Sequence, residues 1–424
     1  MPENNAVFLI DFDNVLFDTE KLKLEIERNF IKLSNNYLSA KILWQEYKDT
    51  KEKYGFNNLP QLCISLSQKH SAISNTDINS IFYNANFKKH AIKDSHYLIK
   101  GLQKLGKVFV YSLGHTDYQQ LKIRKSGFEK LIGKNNIIIV QDKINGLEKI
   151  LTGFKTNQVY VIDDRSEVLE KSFKINNSVV NIWHRYGMYK GIWPKVNGSV
   201  AFQTNNLREI INFVEEYIGK ININNNVFSV IKPTAINSKH ITRIVKFSKH
   251  DTLIKKFTHD SKRFKDKYSF NRWYKKGRIL YLLINQKNNL LGIIWFGNSS
   301  NNFITAFKKT PDFKSGDELN ADMSSSFRGN PAPQSGEDVI DKKLPYLTFA
   351  IRIYKPAREL GLSEKFFNMA HNDLLNTLKL SKSKYNGLWL SVNCKNQIAI
   401  HLYKKLGFKE FKKTDSELIM TLEN

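Results

Sequence analysis

Residues 8–20, which read FLIDFDNVLFDTE, decide the fold of the first half of the chain. The apolar run from Ala6 to Ile10 predicts a buried strand, and Asp11 and Asp13 follow directly at its end. Side chains two residues apart on a strand point to the same side, so these carboxylates lie close together. They resist ionisation unless a cation or a shared proton relieves them, and magnesium prefers such oxygen ligands. The alternative is a strand followed by a solvated acidic turn.

Two later apolar runs end in polar side chains. Residues 108–112 end in the hydroxyl of Ser112, and residues 158–162 lead into Asp163 and Asp164. Strands that alternate with helices predict a parallel α/β sheet, and ligands of such sheets bind at the carboxyl ends of the strands. A hydroxyl at a strand end, followed by a helix start, is suited to hold a phosphate.

Residues 11–16, DFDNVL, resemble the first motif of the haloacid dehalogenase (HAD) superfamily of phosphohydrolases, DxDx(T/V)(L/V), with Asn14 where glycine is usual. Ser112 resembles the second motif, a strand that ends in serine or threonine. The resemblance covers about residues 5–217 and implies a Rossmann-like α/β domain. Helical patterns at about residues 20–100 fit the mobile cap that this family inserts after its first motif, although a purely structural helical subdomain is the alternative.

The same resemblance implies further site residues. Lys143 is the candidate for the third-motif lysine, and Lys149 is the alternative because the register after the preceding strand is open. The fourth motif is a carboxylate pair that binds metal. Asp163 and Asp164 match it, with Asp164 the better match of the two.

The mechanism that this resemblance implies is phosphoryl transfer in two steps. Asp11 would be the nucleophile and form an aspartyl-phosphate, and Asp13 would act first as general acid and then as general base. Mg²⁺ would be held by Asp11, the carbonyl of Asp13 and the fourth-motif carboxylates. Ser112 and Lys143 would bind the phosphoryl oxygens.

The length of 424 residues predicts two or three domains. We expect a cytoplasmic protein, because residues 1–20 do not show the pattern of a secretory signal. Its net charge of +26 could indicate nucleic-acid or membrane binding. However, lysine is spread evenly beside abundant asparagine and isoleucine, as AT-rich codons produce, and there is no arginine-rich stripe, so nucleic acid is not an expected partner. Two distant cysteines exclude a disulfide scaffold and a cysteine zinc site. No apolar run reaches membrane-spanning length.

A second pattern begins at Val227, after the asparagine-rich residues 221–226, which we predict to be a linker. Residues 298–345, rich in Gly, Ser, Asn, Asp and Pro, predict a long loop. Between and beyond these segments, apolar runs predict strands at 228–232, 279–285, 290–296, 347–354, 388–392 and 417–422, with the second and third forming a hairpin.

Residues 356–363, PARELGLS, form a turn before a predicted helix, where free backbone N–H groups favour phosphate. Gly361 permits close approach of the backbone. With Arg358, Gly361 and Ser363, this stretch resembles the (R/Q)xxGx(G/A) pyrophosphate loop of the GNAT family of N-acetyltransferases, although serine replaces glycine or alanine at the third position.

The family's other signature, NxxAxxLYxxxGF, is complete from Asn396 to Phe408. The resemblance covers about residues 227–424 and implies that Asn396 contacts coenzyme A and that Tyr403 protonates its departing thiolate. The alternative is that Tyr403 and Phe408 are only core aromatics. No general base can be assigned, since such bases vary in the family.

Three residues near the motifs are poor candidates for that base, because each has a more ordinary explanation as a loop, surface or core residue. Glu359 lies in the cofactor loop, and His371 and His401 lie within predicted helices.

Together the two patterns predict a bifunctional enzyme: a magnesium-dependent phosphohydrolase fused to an acyltransferase that uses acetyl-CoA. Its partners would be a small phosphorylated metabolite, such as an amino sugar derivative, and an amine acceptor. Two alternatives stay open. One is HAD-type glyceryl or acyl transfer to a carrier protein, which the Asp13-Asn14 pair favours and the long helical insert disfavours. The other is a ligand-sensing protein with one inactive domain.

Overall fold

The computed structural model describes residues 6–54, 58–154, 158–186, 198–298, 347–381 and 385–423. The chain divides into two compact units. The first comprises Met1–Glu215 with Asn224–Val227 and Gln286–Asn288, and the second comprises Glu216–Ile223, Phe228–Asn285 and Asn289–Asn424. Both units combine helices with a sheet, so the fold is α/β throughout.

The first unit is built on a parallel sheet of six strands in the order β3-β2-β1-β4-β5-β6. β1, the strand predicted from the opening motif, lies between β2 and β4 and pairs with both in parallel. Its buried residues include Val7 and Leu9, which pack in the core with residues of β4. The strands are β1 (Ala6–Ile10), β2 (Gly106–Leu113), β3 (Ile137–Val140), β4 (Gln158–Asp163), β5 (Val180–His184) and β6 (Phe202–Thr204).

Five helices and a 3₁₀ turn follow β1 before β2, and the first four of these helices and the turn lie where the sequence predicted a helical insert. The side chain of Asp18 caps the first helix by accepting a hydrogen bond from the N–H of Lys21 (3.0 Å). Asn58 and Ser74 cap the third and fourth helices in the same way. The elements are α1 (Thr19–Leu33), α2 (Ala40–Tyr54), α3 (Leu59–Lys69), α4 (Asn75–Tyr83) and the 3₁₀ turn Phe87–His90. We refer to α1–α4 as the helical insert.

The remaining helices of the first unit lie between successive strands of its sheet, as expected for parallel strands, except α10, which follows the last strand, β6. They are α5 (Ser95–Leu105), α6 (Thr116–Lys125), α7 (Phe128–Ile132), α8 (Lys143–Thr152), α9 (Ser166–Ile175) and α10 (Leu207–Glu216). Because α6, α8 and α9 each follow a strand, they begin at the edge of the sheet where β2, β3 and β4 end.

The second unit contains a sheet of eight strands in the order β13-β14-β12-β11-β10-β9-β8-β7. The predicted hairpin is confirmed, since β9 and β10 pair antiparallel. Among the described residues, β11 and β12 pair in parallel through Leu347–Leu388 and Thr348–Trp389. The strands are β7 (Tyr217–Ile223), β8 (Asn226–Ile231), β9 (Ile279–Asn285), β10 (Leu290–Asn298), β11 (Leu347–Ile353), β12 (Leu388–Asn393), β13 (Lys409–Lys413) and β14 (Glu417–Leu422).

Helices cover this sheet. The longest of them in the described part of the second unit, α15, buries Phe366, Phe367 and Leu374 in a core that also contains Phe349 of β11. The helices are α11 (Ser238–His250), α12 (Thr252–Phe257), α13 (Asp260–Arg263), α14 (Lys267–Tyr274), α15 (Leu362–Leu380) and α16 (Gln397–Lys405). No helix in the described ranges has both the length and the apolar character needed to cross a bilayer.

Two sequence predictions need comment. Residues 221–226 are not a linker: they contain the end of β7, a two-residue turn and the first residue of β8. Asn224 and Asn225 both have positive φ, 47° and 60°, which is the requirement of the tight turn that joins two antiparallel strands. The predicted long loop at 298–345 lies, apart from its first residue, outside the described residues.

Candidate functional site

Three carboxylates meet at the carboxyl ends of β1 and β4. Asp11 follows β1, Asp163 ends β4 and Asp164 comes next, and one oxygen from each lies within 4.8 Å of the others. The parallel register explains this proximity, since Ile10 lies opposite Ile162 and the N–H of Asp11 donates to the carbonyl of Ile162 (2.9 Å). All three carboxylates are buried.

Lys143 lies among these carboxylates. Its Nζ is 2.8 Å from Asp11 Oδ1 and 2.6 Å from Asp163 Oδ2, and its side chain is only 1% exposed. Lys143 is the first residue of α8, which Asp142 caps by accepting from two backbone N–H groups. The alternative lysine, Lys149, is exposed on the same helix. The structure therefore brings Lys143, and not Lys149, to the carboxylates.

The charges of this cluster do not balance, because three carboxylates surround one ammonium. Burial raises the pKa of Asp11 to about 7, and the neighbouring carboxylates add to the effect. Burial likewise raises the pKa of Asp164 to about 8. Burial alone would lower the pKa of Lys143, but the carboxylates of Asp11 and Asp163 outweigh it and raise that pKa. A divalent cation would offset the excess negative charge, and the all-oxygen donor set fits Mg²⁺.

The two carboxylates of β4 have different surroundings. Asp163 is engaged through both oxygens, one with Lys143 and the other with the N–H of Arg165 (2.9 Å). Asp164 accepts a long hydrogen bond of 3.3 Å from the amide of Asn14. Asp11 and Asp164 are therefore the carboxylates best placed to bind a cation, while Asp163 orients the lysine.

Asn14 stands where the first HAD motif usually has glycine, and its backbone conformation explains why asparagine is tolerated there. Its φ is 59°, a left-handed conformation that glycine adopts freely and that asparagine adopts more readily than other residues. Its carbonyl accepts from Nδ1 of His184 (3.1 Å), which is fully buried. Asparagine thus replaces glycine here without loss of the turn that follows Asp13.

Asp13 is held by three side chains that the sequence did not single out. Lys122 Nζ lies 2.5 Å from Asp13 Oδ1, Gln119 donates to Oδ2 (2.7 Å), and the hydroxyl of Thr19 also donates to Oδ1. Burial would raise the pKa of Asp13, but the ammonium of Lys122 and these hydrogen bonds lower it. Gln119 and Lys122 are three residues apart on α6, so they share one helix face.

Ser112 is linked to Asp13 through Gln119. It is fully buried near the end of β2, and its hydroxyl oxygen accepts a hydrogen bond from Gln119 Nε2 (2.7 Å). The same amide group therefore contacts both predicted site residues. Gln119 and Lys122 lie in the first two turns of α6, and no local pattern in the sequence singled them out.

In the second unit, the five residues predicted to bind or act on coenzyme A line one cavity of about 280 Å³: Arg358, Gly361, Ser363, Asn396 and Tyr403. β11 forms part of its wall, at positions beyond the two residue pairs through which that strand meets β12. The unpaired stretch leaves an opening between two strands of the sheet.

The turn before α15 presents its backbone to this cavity. Gly361 has a φ of 68°, caps α15, and has no atom within 4 Å of the place where a Cβ would stand. The N–H groups of the first helical turn have no carbonyl partner within the helix, and they lie at the positive end of its dipole. This geometry suits a phosphate group.

The side chain of Arg358, a predicted cofactor-binding residue, is engaged within the protein. Its guanidinium pairs with Asp251 Oδ1 (2.6 Å) and donates to the carbonyl of Ile353 (3.0 Å). Asp251 also accepts from the N–H of Lys355 (3.2 Å). The side chain of Arg358 therefore fastens the loop to α12, and the backbone of the loop is left to bind a ligand.

Tyr403 and Asn396 also have structural roles, in the core and at the start of a helix. Tyr403 is buried, and burial raises its pKa. The side chain of Asn396 caps α16 by accepting from the N–H of Ala399 (3.2 Å). Of the three residues weighed as a general base, Glu359 is exposed in the loop before α15, His371 contacts the hydroxyl of Tyr385 (2.6 Å), and His401 is exposed on α16.

No protein family model matches the chain, and no curated protein matches it either. Among solved structures, a haloacid dehalogenase-like hydrolase from Burkholderia xenovorans LB400 is 16% identical over 50% of this chain and 98% of its own, with a TM-score of 0.43. A HAD-hydrolase from Bacillus subtilis, bound to magnesium, is 15% identical over 48% and 96%, with a TM-score of 0.35. A GNAT-family acetyltransferase from Streptococcus pneumoniae is 14% identical over 46% and 99%, with a TM-score of 0.29. The solved structures similar to this chain thus include members of two enzyme families, each aligned with about half of it.

Proposed function

We propose that the first unit is a magnesium-dependent phosphohydrolase that acts on a small phosphorylated metabolite. The observation that carries this proposal is the buried cluster of Asp11, Asp163 and Asp164 around Lys143. Buried carboxylates in excess of cations are costly, and perturbed pKa values of this kind cluster at functional sites. Asp11 and Asp164 would hold Mg²⁺, together with the carbonyl of Asp13, and the ion would supply charge stabilisation to the phosphoryl group.

In the first step, a carboxylate oxygen of Asp11 attacks phosphorus, and the bond from phosphorus to the leaving oxygen breaks. The leaving oxygen keeps the electron pair and takes a proton from Asp13. In the second step, water gives its proton to Asp13 and attacks the aspartyl-phosphate, which releases phosphate and restores the Asp11 carboxylate. Lys143 and Ser112 are assigned to the phosphoryl oxygens.

The test is phosphate release from a panel of small phosphorylated metabolites with Mg²⁺. Asp11→Asn should lower the rate by at least about 10³-fold, because it removes the nucleophile. The matched control is Asp117→Asn, since Asp117 is an exposed carboxylate on α6 and should not matter. Absence of release from every compound, or equal rates in Asp11→Asn and wild type, would reject the proposal.

We further propose that the second unit transfers an acyl group, with acetyl-CoA as donor, to an amine. The cavity lined by Gly361 and Tyr403 supports this assignment. The amine nitrogen attacks the carbonyl carbon, and the carbon–sulfur bond breaks. The sulfur takes a proton from the hydroxyl of Tyr403, the nitrogen loses its surplus proton to solvent, and Tyr403 regains a proton from solvent.

Acetyl-CoA binding and turnover separate this proposal from its alternative. Calorimetric titration should detect binding, and Tyr403→Phe should keep the affinity while lowering turnover with amines by about 10²-fold. Binding without turnover for any amine would favour a ligand-sensing role instead. Absence of binding would reject acetyl-CoA as the acyl donor of this unit.

A further inference from the structure

The positive charge of the chain is concentrated in the helices α11–α14 of the second unit. Residues 238–278 contain ten lysines and four arginines against three aspartates, so this segment carries +11 of the net charge of +26. Lysine occurs along the whole chain, but carboxylates balance it to a greater extent elsewhere. The even spread of lysine therefore does not extend to the net charge.

The four helices form one layer on one face of the eight-stranded sheet. They pack against one another, and two of their aromatic rings contact Trp295 of β10: Phe264, which follows α13, at 6.2 Å between centroids, and Trp273 of α14 at 5.3 Å. The next residue of β10, Phe296, points to the opposite face and lies in the core that contains α15. α15 and the layer of α11–α14 therefore cover opposite faces of the sheet.

The layer turns its apolar side chains inward and its lysines outward. Ile241, Ile244 and Phe270 are buried, whereas every lysine of the segment is exposed. We refer to these ten side chains as the lysine surface: Lys239, Lys246, Lys249, Lys255, Lys256, Lys262, Lys265, Lys267, Lys275 and Lys276. None of them lines the cavity that contains Tyr403, so the lysine surface is separate from the proposed acetyl-CoA site.

The aspartates of the layer leave the lysine surface unneutralised. Asp251 and Asp260 are buried and pair with arginines. Asp266 is exposed and caps α14. Within the described ranges, no salt bridge joins a lysine of this surface to a carboxylate. A surface with so large an excess of one charge attracts polyanions.

The composition of the lysine surface distinguishes between classes of polyanion. Protein interfaces are depleted of lysine and have an apolar core, but Leu253 and Tyr268 are the only large apolar side chains exposed in this fully described segment. Helices that lie on a membrane insert an exposed apolar face, whereas the apolar residues of this layer are mostly buried. The phosphate backbone of a nucleic acid is bound by lysine and arginine cations and needs no apolar contact.

From these observations we infer that the lysine surface binds nucleic acid through its phosphate backbone and without sequence preference. This interaction is independent of both proposed activities. α11 has 13 residues and is therefore about 20 Å long. Successive phosphates of one duplex strand are about 3.4 Å apart along the axis, so a helix of this length spans about six of them. We expect about four to six phosphate contacts.

The test is fluorescence anisotropy of the full chain with a labelled 25-base-pair DNA duplex and a labelled 25-nucleotide single-stranded RNA. For the duplex, a plot of the logarithm of the association constant against that of the salt concentration should have a slope of about −4 to −5. Binding should therefore weaken by about 10²–10³-fold between 50 and 200 mM NaCl. A second duplex of unrelated sequence should bind equally well. The tighter of the DNA and RNA complexes identifies the preferred nucleic acid.

Two quadruple variants with the same net charge separate the lysine surface from the charge of the whole chain. The first replaces one exposed lysine from each helix or its end: Lys246→Gln, Lys255→Gln, Lys262→Gln and Lys275→Gln. It should reduce the magnitude of the salt slope by about one for each phosphate contact that is lost, up to about four. The control replaces four exposed lysines of the first unit and should keep the wild-type slope: Lys41→Gln, Lys51→Gln, Lys53→Gln and Lys100→Gln.

Four results would overturn the inference. The first is absence of binding to both nucleic acids at 50 mM NaCl, and the second is binding that does not depend on salt. The third is an equal loss of affinity in the two variants, since the total charge would then explain the binding. The fourth is tighter binding to polyglutamate of 25 residues, or to vesicles that contain phosphatidylglycerol, because an acidic protein or a membrane would then be the better partner.

Discussion

Replacement of Lys143 by methionine is the most informative perturbation of the carboxylate site. Methionine keeps much of the volume of the lysine side chain and removes its charge. The side chain is 1% exposed and lies within 2.8 Å of two carboxylates. In the variant, the buried carboxylates of Asp11, Asp163 and Asp164 lose the ammonium that pairs with two of them.

The expected cost follows from the burial of the pair. Removal of one partner from a buried ion pair destabilises a protein by about 3–5 kcal/mol, because the other charge stays buried and uncompensated. Lys143→Met should therefore lose about that amount in EDTA. Some amides of residues 6–215 exchange only when the unit unfolds globally. In the variant these amides should exchange at least about 10²-fold faster than in the wild type, because each 1.4 kcal/mol is a factor of ten.

Mg²⁺ should reverse part of this loss. A ligand at 100 times its Kd adds about 2.7 kcal/mol to stability, and the variant should gain more than the wild type because it has lost the competing ammonium. The assay is hydrogen exchange read by mass spectrometry on peptides of β1 and β4, with and without Mg²⁺. Lys149→Met is the control, since Lys149 is exposed on the same helix.

Two results would refute this reasoning. If Lys143→Met exchanged like the control in EDTA, the ion pairs would contribute nothing to stability. If Mg²⁺ protected the wild type and the variant equally little, the carboxylates would not form a cation site.

Three further predictions concern individual residues. Burial lowers the pKa of His184 to about 4, so stability should fall as the pH drops from 6.5 to 4, by about 3 kcal/mol in total; urea titrations of wild type and His184→Asn across this range should converge at low pH. Because Asn14 has positive φ, Asn14→Gly should be tolerated, whereas Asn14→Ala should cost about 1–2 kcal/mol in the same titration, and equal stability of the two would be evidence against the left-handed turn. Arg358→Gln and Asp251→Asn should each weaken acetyl-CoA binding, and calorimetry on the double variant should give a coupling of about 0.5–3 kcal/mol; strictly additive losses would contradict the proposed fastening of the loop.

The strand ends of the first unit could be predicted from sequence because each is a local pattern. An apolar run followed by Asp11, Ser112 or Asp163 marks the end of a strand, and parallel sheets bring such ends to one edge. The helical insert was predictable for the same reason, from apolar residues at helical spacing.

Contacts between distant segments were beyond the reach of these patterns. Lys122 is 109 residues from Asp13, and Arg358 is 107 residues from Asp251. A lysine on a helix or an arginine in a loop has no local feature that reveals its partner, because packing of whole elements determines it. The motif places Arg358 in a predicted phosphate-binding loop, but it gives no indication that the guanidinium pairs with Asp251.

The predicted linker failed for a different reason. The asparagines of residues 221–226 indicate polarity, which is shared by linkers and tight turns. Asn224 and Asn225 adopt positive φ because asparagine tolerates the left-handed region. The alternation of isoleucine and asparagine before them was a strand signal, with Ile221 buried.

The central claim is that Asp11 becomes phosphorylated during turnover. The measurement that tests it most directly is borohydride reduction of the enzyme, quenched in acid while it turns over a phosphorylated substrate with Mg²⁺, followed by mass spectrometry of the peptide that contains β1. Reduction of an aspartyl-phosphate converts the residue into homoserine. The account predicts homoserine at position 11, dependent on substrate, with Asp13 unmodified. Phosphate release without modification at position 11, or modification at Asp13 instead, would contradict it.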